Sequence, residues 1–353
     1  MYKTTSKLSI LIITFTLNSC GKLRDFHKDH GDSKRTLIPA FPKLIGLPGP
    51  SLDITSENKE LKFPGLLGSY NPSIVSISDD SYLVSIRVSG HGHSKHWQEH
   101  VILCETDKDF NPIADYSLLN SSYKGAHGCP EDARLFSFRG EPWVIFNNDL
   151  STFRNGSRQM YLSRLTRDHI TGQFNTEKVF PIFIDEDRTE KNWSPMEIDG
   201  ELYMVCNILP YHILKVDLES GYCSDAQSAE ESFQWAFGHP RGGTPFIEID
   251  GQLLTVFHSS KWYRYLDGLE RPIYVMGAYL CEKHGDRKIT AYTTIPISAP
   301  CFYDEDNPLK IIFPSGIEKD GDDLVILSGK NDSAILASRI PIQTLLDSMK
   351  KVQ

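Results

Sequence analysis

The same β-hairpin pattern occurs five times along this sequence. Each copy opens with polar or small residues, turns at a pair of residues such as Asp-Gly, and continues into an apolar second strand. The copies begin at residues 71, 131, 191, 241 and 313, so the spacings are 60, 60, 50 and 72 residues. A hairpin that recurs at such an interval is typical of radial repetition, in which each unit forms one blade of a β-propeller. The residues that open the copies would then converge on one central funnel.

The rest of the chain fits four strands in each blade. A second hairpin follows the first, for example at Met160–Arg164 and Ile213–Asp217. We therefore predict an all-β fold, a five-bladed β-propeller over about residues 46–345. A β-sandwich has a similar number of hairpins, but the near-constant phase of the Asp-Gly turn argues against it. Apolar side chains at helical spacing in Pro341–Met349 predict a short terminal helix, which runs into a tail at 346–353.

The amino terminus has the composition of an export signal followed by a tether. Lysines precede an apolar run of about ten residues, which is too short to span a bilayer and suits a signal peptide. The run ends in Leu-Asn-Ser-Cys-Gly at residues 17–21, which resembles a bacterial lipobox. We predict a signal peptide over 1–19, acylation of Cys20, and a polar tether over 20–45. The protein would be exported and anchored by lipid on the periplasmic or surface side of a membrane. An ordinary secretory signal is the alternative.

Charge and cysteine content limit the partners. The net charge is −9 and no long basic run occurs, which argues against a nucleic-acid partner, because phosphate binding needs a concentrated positive patch. Membrane contact is predicted only through the lipid anchor. The six cysteines that follow Cys20 form no CxxC pair, so a structural zinc knuckle is disfavoured. Cys104, Cys206 and Cys281 lie in apolar runs, where cysteine is usually a small buried hydrophobe.

The second copy opens with two acids close to an arginine, Glu131-Asp132-Ala133-Arg134. One carboxylate could be kept ionised by pairing while the other moves a proton. Because neighbours on a strand point to opposite faces, Glu131 and Asp132 are not expected to face the funnel together. A turn acid with a solvated surface salt bridge is the alternative interpretation.

Other copies open with groups that suit a sugar or an anion. Lys191-Asn192-Trp193 combines an ammonium, an amide and an indole that could stack on a pyranose ring. The alternative is an exposed lysine beside a core tryptophan. Arg241 precedes two glycines, which either let the backbone approach a ligand or mark a tight start to the strand. His258 closes the second strand of that unit, where a buried core histidine is equally expected.

Four histidines fall between Gly90 and His100 and could bind zinc in a metal-dependent hydrolase. Their spacing matches no HExxH helix and the segment has the composition of a loop, so no metal site is predicted. No GxSxG, P-loop or GxGxxG motif occurs. No cofactor is therefore predicted.

Together these motifs resemble glycoside hydrolase family 130, the five-bladed propellers that include β-mannoside phosphorylases and hydrolases, and the related mannosyltransferase/phosphorylases. They appear in the family's order over about 270 residues. The family shows Glu-Asp-Pro-Arg where this chain has Glu131 to Arg134. The other matching segments are Asn71-Pro72, Arg87, Lys191-Asn192-Trp193, Gly243-Thr244-Pro245, Phe257-His258, Tyr274 to Gly277, Pro296-Ile297, Phe313 to Gly316 and Gly329 to Asp332.

The resemblance implies an inverting cleavage of β-mannoside-like bonds in an oligosaccharide or glycan. Asp132 would donate the proton, in many members through a sugar hydroxyl, and phosphate or water would attack from the opposite side. Lys191 and His258 would lie on that nucleophile side, with inorganic phosphate as the co-substrate of a phosphorylase. The predicted substrate-binding residues are Asn71, Arg87, Glu131, Arg134, Asn192, Trp193 and Asp332.

One departure from the family pattern affects the choice of nucleophile. Asn207 stands where the phosphorylases tend to carry an arginine, and the loss of a bidentate cation weakens phosphate recognition. Hydrolysis, phosphorolysis and transfer of a mannosyl group therefore stay open. A non-catalytic glycan-binding propeller is the alternative from another class.

Overall fold

The computed structural model describes residues 49–91, 97–126, 128–149, 158–184, 189–229, 233–265, 268–304 and 307–352. They form a five-bladed β-propeller, which confirms the predicted fold class. The predicted signal peptide, Cys20 and the tether lie outside these ranges and stay predictions, which the mass of the mature amino terminus would test. Among the helices of the described ranges, none has the length and apolar character that crossing a membrane requires.

Each blade is an antiparallel sheet, and the innermost strands contact one another around the central axis. Blade 1 contains β2 (Ser69–Ser78), β3 (Ser81–His91), β4 (Trp97–Asp107) and β5 (Ser117–Leu118). Blade 2 contains β6 (Glu131–Phe138), β7 (Glu141–Asn148), β8 (Gln159–Arg167), β9 (Phe174–Thr176) and β10 (Phe180–Ile182). Blade 3 contains β11 (Ser194–Ile198), β12 (Glu201–Asn207), β13 (Tyr211–Val216) and β14 (Cys223–Ala229).

Blades 4 and 5 hold the two ends of the described chain. Blade 4 contains β15 (His239–Arg241), β16 (Ile247–Ile249), β17 (Gln252–Arg264), β18 (Glu270–Glu282), β19 (Ile289–Thr293) and β23 (Met349–Lys351). Blade 5 contains β20 (Ile312–Asp320), β21 (Asp323–Lys330), β22 (Ala334–Pro341) and β1 (Glu57–Leu61). A 3-10 turn covers Pro300–Phe302, and the predicted terminal helix is α1, Ile342–Asp347.

The predicted tail at 346–353 is wrong as a separate segment. Strand β23 pairs with β19, so that Met349 lies opposite Thr293 and Lys351 opposite Ala291. The propeller therefore runs to Lys351 rather than ending at 345. This pairing could not be predicted from the sequence, because a strand of three residues is too short to show a periodic pattern.

The apolar core lies between the blades rather than inside any one of them. Five clusters of buried side chains each join neighbouring blades, as Ile145 of blade 2 and Leu202 of blade 3 do in one of them. Because each sheet is covered on both faces, its strands are apolar nearly throughout. The ends of the strands are the places where polar side chains can gather.

The repeated turns hold the hairpins in register at the end opposite the funnel. At Asp199-Gly200 and Asp250-Gly251 both residues have positive φ, as do Arg139 and Gly140. This is the geometry of a type I′ turn, which matches the twist of the strands that it joins. It explains why the Asp-Gly signal recurs in the sequence.

Candidate active site

The starts of three innermost strands bring Asn71, Asp132 and Asn192 to equivalent positions around the funnel. All three residues have positive φ, at 42°, 52° and 62°. Strands β2 and β6 each carry an extra residue at this point, where their register shifts between Tyr70 and Ser73 and between Glu131 and Arg134. Such a bulge re-aims a side chain, and non-glycine residues with positive φ often mark functional sites.

The bulge corrects one sequence expectation, that Glu131 and Asp132 would not face the funnel together. Both carboxylates contact the guanidinium of Arg87, Asp132 Oδ1 at 2.9 Å and Glu131 Oε1 at 3.1 Å. The alternation of side chains holds only for regular extended backbone, and the positive φ of Asp132 interrupts it.

Asp132 is held from two sides. Arg87 Nη1 donates to its Oδ1, and the side-chain amide of Asn71 donates to the same oxygen at 2.9 Å. Burial disfavours the ionised form, but Arg87 and the Asn71 hydrogen bond outweigh it and lower the pKa of Asp132 to about 2. Asp132 is therefore a carboxylate in the ligand-free site, and it is 7% exposed.

The remaining charges form a network that the sequence did not predict in full. Glu131 contacts Arg158 and Lys191 as well as Arg87, and Glu99 accepts from Arg87 Nε at 3.0 Å. Glu99 and Arg158 were not among the predicted site residues. Glu99 lies at the end of the histidine-rich run and Arg158 lies just before β8, and neither opens a repeat. No local pattern marks them.

Arg134 does not bind substrate directly, contrary to its prediction. Its side chain is 0% exposed and donates to the backbone carbonyls of Asp132, Gly242 and Gly243 and to Asn192 Oδ1. These partners satisfy a buried guanidinium inside the ring of blades. Arg134 therefore holds the strand starts of blades 2, 3 and 4 together below the funnel.

Trp193 is likewise not a sugar-stacking residue. It is 0% exposed, packs between blades 2 and 3, and donates from Nε1 to Glu190 at 2.8 Å. The alternative interpretation is correct for the tryptophan, which is a core residue, whereas Lys191 is only partly exposed and contacts Glu131. The phase of the repeat predicted that Lys191 and Asn192 lie at the funnel. It did not predict the direction in which the next side chain, that of Trp193, points.

A cavity of about 670 Å³ opens beside Asn192, between the starts of blades 3 and 4, and extends over the ends of the outer strands of blade 3. Lys191 and Arg241 bring positive charge to its wall, together with His239 and Asn207. The Lys191 side chain is 35% exposed and contacts Glu131 at 3.3 Å. Burial and the charge of Arg241 lower the pKa of His239, so His239 favours its neutral form. The cavity thus offers two cations to an anion or a polar group.

His258 lies on β17 directly opposite Arg241 of β15. Its ring packs 4.5 Å from Phe313 and is almost fully buried. Burial first, and then the charges of Arg134 and Arg241, lower the pKa of His258 to about 3, so the imidazole is neutral at physiological pH. Its Nδ1 has no hydrogen-bond partner among the described residues.

Asp332 completes the funnel from blade 5. It lies in the turn between β21 and β22 with a φ of 50°, and its side chain is open to solvent. Desolvation of its carboxyl by the surrounding protein atoms raises the pKa of Asp332, and nearby Asp132, Glu99 and Glu131 raise it further against the effect of Arg87.

The paired glycines mark a tight start to the strand. A side chain at Gly242 would collide with the backbone of Asn192, and one at Gly243 with the backbone of Val256. The space that these glycines leave is thus occupied by the neighbouring strands.

Much of the histidine-rich segment from Gly90 to His100 lies outside the described residues, which do not include residues 92–96 or the side chain of His91. Within the described ranges, no group of three or more His, Cys, Asp or Glu residues is placed to hold a metal ion. The six cysteines of those ranges are all free thiols.

No family model and no curated protein matches the sequence. Solved structures do resemble the fold. A β-1,2-mannobiose phosphorylase from Listeria innocua is 15% identical with a TM-score of 0.57, over 80% of this chain and 92% of that one. A mannose phosphorylase from Leishmania mexicana, in complex with a phosphate ion, is 16% identical with a TM-score of 0.58, over 85% and 92%.

A third structure represents the GH130 family of mannoside phosphorylases, which contains glycoside hydrolases that target β-1,2 mannosidic linkages in Candida mannan. It is 11% identical with a TM-score of 0.56, over 78% of this chain and 85% of that one. The structural neighbours are thus propellers of the family whose motifs this sequence resembles. At these identities the likeness shows the fold.

Proposed function

We propose that this protein cleaves β-mannosidic bonds in an oligosaccharide or glycan with inversion, and that Asp132 donates the proton. The observation that carries the proposal is that Asn71 and Arg87 both contact one buried carboxylate, Asp132, while Glu131 contacts the same guanidinium of Arg87. A solvated surface ion pair would not be buried or held by a bulged strand. The neighbouring structures act on mannosides, which favours the same sugar here.

Proton donation requires that substrate changes the state of Asp132. Its pKa of about 2 keeps the carboxylate ionised in the free site. A bound sugar would exclude water and compete for the hydrogen bonds of Arg87 and Asn71, and both effects raise the pKa of the carboxyl. We therefore expect kcat to fall as pH rises through the pKa of Asp132 in the substrate complex.

Asp332 is the alternative proton donor. Its raised pKa favours the protonated form more than that of Asp132 does. Two carboxyls whose pKa values are driven apart are the usual way to separate acid and charge-stabilising roles. In our proposal Asp332 binds the sugar, together with Arg87 and Asn71.

The cavity beside Asn192 would hold the nucleophile, which is phosphate or water. Lys191 and Arg241 offer the positive charge that phosphate needs, although Asn207 is not a cation. This favours phosphorolysis. Hydrolysis is the second candidate, because Lys191 is paired with Glu131 and position 207 has no arginine to bind phosphate through two parallel hydrogen bonds. His258, neutral and nearly buried, would act on this side only through its neighbours.

The deciding experiment is a product assay on β-linked manno-oligosaccharides, with and without inorganic phosphate. The proteins are wild type, Asp132→Asn, Asp332→Asn and, as a control, Asp199→Asn in an exposed turn. We expect Asp132→Asn to lower kcat about 10²- to 10⁴-fold while binding is retained, and Asp199→Asn to change nothing. NMR identifies the anomer of the product that forms first, and this anomer shows whether the reaction inverts the configuration of the sugar.

Each product identifies one reaction. Mannose 1-phosphate that appears only with phosphate indicates a phosphorylase, free mannose a hydrolase, and a longer glycan a transferase. Full activity in Asp132→Asn with loss in Asp332→Asn would move the proton donor to Asp332. Glycan binding without any product, in wild type and variants alike, would contradict the enzyme and indicate a binding propeller.

A further inference from the structure

The hairpin of β17 and β18 rises above the sheet of blade 4. Inner strand β15 pairs with β17 only as far as Ser260, opposite His239. Beyond that point, residues from Lys261 to Arg264 pair only with β18, from Ile273 to Glu270. The hairpin therefore projects beyond the inner strand at the end where the funnel opens.

One face of this hairpin is committed to the interior of blade 4. Ser259 accepts from Trp235 Nε1 at 2.7 Å, and Phe257 packs against the same indole at 4.9 Å between ring centroids. Tyr263 belongs to a buried cluster against which the same indole packs. The odd-numbered positions of β17 thus face Trp235, and alternation turns the even-numbered positions the other way.

The even-numbered face of β17 extends from the candidate active site towards solvent. His258 is buried against Phe313 of blade 5, Ser260 is partly exposed, and Trp262 is 61% exposed. Across the hairpin, Tyr274 lies opposite Ser260, and its ring stacks on that of His258 at 6.0 Å. At about 3.4 Å per residue, Trp262 lies about 7 Å along the strand from Ser260.

The indole of Trp262 belongs to none of the six apolar clusters of the described residues. Trp262 pairs across the hairpin with Pro272, which is itself partly exposed. Tryptophan presents a flat apolar ring with an N–H at its edge, which suits the face of a pyranose. The indole of Trp262 therefore provides an exposed aromatic surface on the same face of the hairpin as Tyr274 and His258.

We propose that Trp262 is a stacking platform for a sugar unit of a longer glycan, outside the unit that is cleaved. The inference rests on the proposed function for its substrate class. Trp262 would then determine chain-length preference rather than take part in the chemistry. Longer substrates would gain binding from the indole, and a disaccharide too short to reach it would not.

The test compares a β-mannobiose with a β-mannotetraose in the full chain. We expect Trp262→Ala to lower kcat/KM for the tetrasaccharide about 2- to 10-fold and to leave that for the disaccharide unchanged. Trp262→Phe should retain most of the preference because it keeps an aromatic face. Ile170→Ala, at a 95% exposed apolar residue of blade 2, is the matched control and should change neither substrate.

A binding measurement separates this inference from the proposed function. In the Asp132→Asn background, calorimetry should show tighter binding of the tetrasaccharide than of the disaccharide, and Trp262→Ala should remove the difference. That result supports the platform even if wild type releases no product. An equal effect of Trp262→Ala on both sugars, or none on either, overturns the inference while leaving the proposed function in place. If wild type neither binds nor cleaves either sugar, both fail.

Discussion

At the scale of single residues, Asp132 and Asp332 show how one funnel gives two carboxyls opposite properties. Asp132 is the more deeply buried of the two, yet its pKa is lowered because Arg87 and Asn71 contact it directly. Asp332 makes no such contact in the described structure and its pKa is raised by burial and by the neighbouring acids. Direct hydrogen bonds and ion pairs outweigh burial at Asp132, whereas Asp332 has no such contacts among the described residues to offset the effect of burial.

His258 makes stability depend on pH. Its pKa is about 3 in the folded protein against an ordinary value of 6.5. Between these values the unfolded chain binds a proton that the folded chain does not, so stability falls as pH decreases from 6.5 towards 3. From pH 6.5 to pH 5 this one group should cost about 2 kcal/mol. Urea unfolding of wild type and His258→Gln at pH 7 and pH 5 measures the effect.

The comparison uses the change with pH, because His258→Gln also alters packing against Phe313. That packing loss applies at both pH values and cancels in the difference. We expect the variant to lose about 2 kcal/mol less than wild type between pH 7 and pH 5. Equal losses would show that His258 is already protonated in the folded protein at pH 5.

At the scale of secondary-structure elements, the bulge at the start of β2 depends on a glycine in blade 5. A methyl group at Gly329 of β21 would collide with the side-chain amide of Asn71. Gly329→Ala should therefore displace Asn71 and remove its hydrogen bond to Asp132. We expect kcat/KM on the proposed substrates to fall about 10²-fold, since small displacements of a catalytic group are costly.

The control for Gly329→Ala is Gly321→Ala in the turn at the other end of the same blade. Gly321 has a φ of 62° and open space around it, so alanine there strains the backbone without touching the funnel. This variant should lose stability, measured by thermal unfolding, and keep kcat/KM. If both variants keep wild-type activity, Asn71 does not need its present position for Asp132 to function.

At the scale of the whole molecule, the ring is closed by an amino-terminal strand in the last blade. Strand β1 pairs with β22 from Glu57 opposite Arg339 to Leu61 opposite Ile335, and Leu61 is buried between blades 5 and 1. Deletion of residues 1–61 removes this ladder and the buried leucine, together with the backbone hydrogen bonds of Leu52 to Pro296 and Ser298. We expect the free energy of unfolding to fall by about 3 kcal/mol or more.

Deletion of residues 1–48 is the matched control for the closure strand, because it retains every described contact of β1. Urea unfolding of the two truncated proteins beside the full chain gives the comparison. A shorter chain that lacks β1 but unfolds with the stability of the control would show that blade 5 is complete with its three remaining strands.

Much of the fold and part of the site follow from the sequence alone. The five hairpins with their two-residue turns, two of which are Asp-Gly, predict a propeller, because turn geometry and apolar strands are local properties that repeat with the blades. The phase of the repeat also located Asn71, Asp132 and Asn192 at the funnel. It did so because a radial fold brings the starts of its innermost strands to the central axis.

Only the tertiary structure decided what each of these side chains does. It buried Trp193 and Arg134, turned Glu131 and Asp132 towards the same arginine, and brought Glu99 and Arg158 to them from other strands. Side-chain direction there depends on a bulge and a positive φ, and pKa depends on charges that are distant in sequence. A pattern read along one strand contains neither, because both arise when separate blades meet.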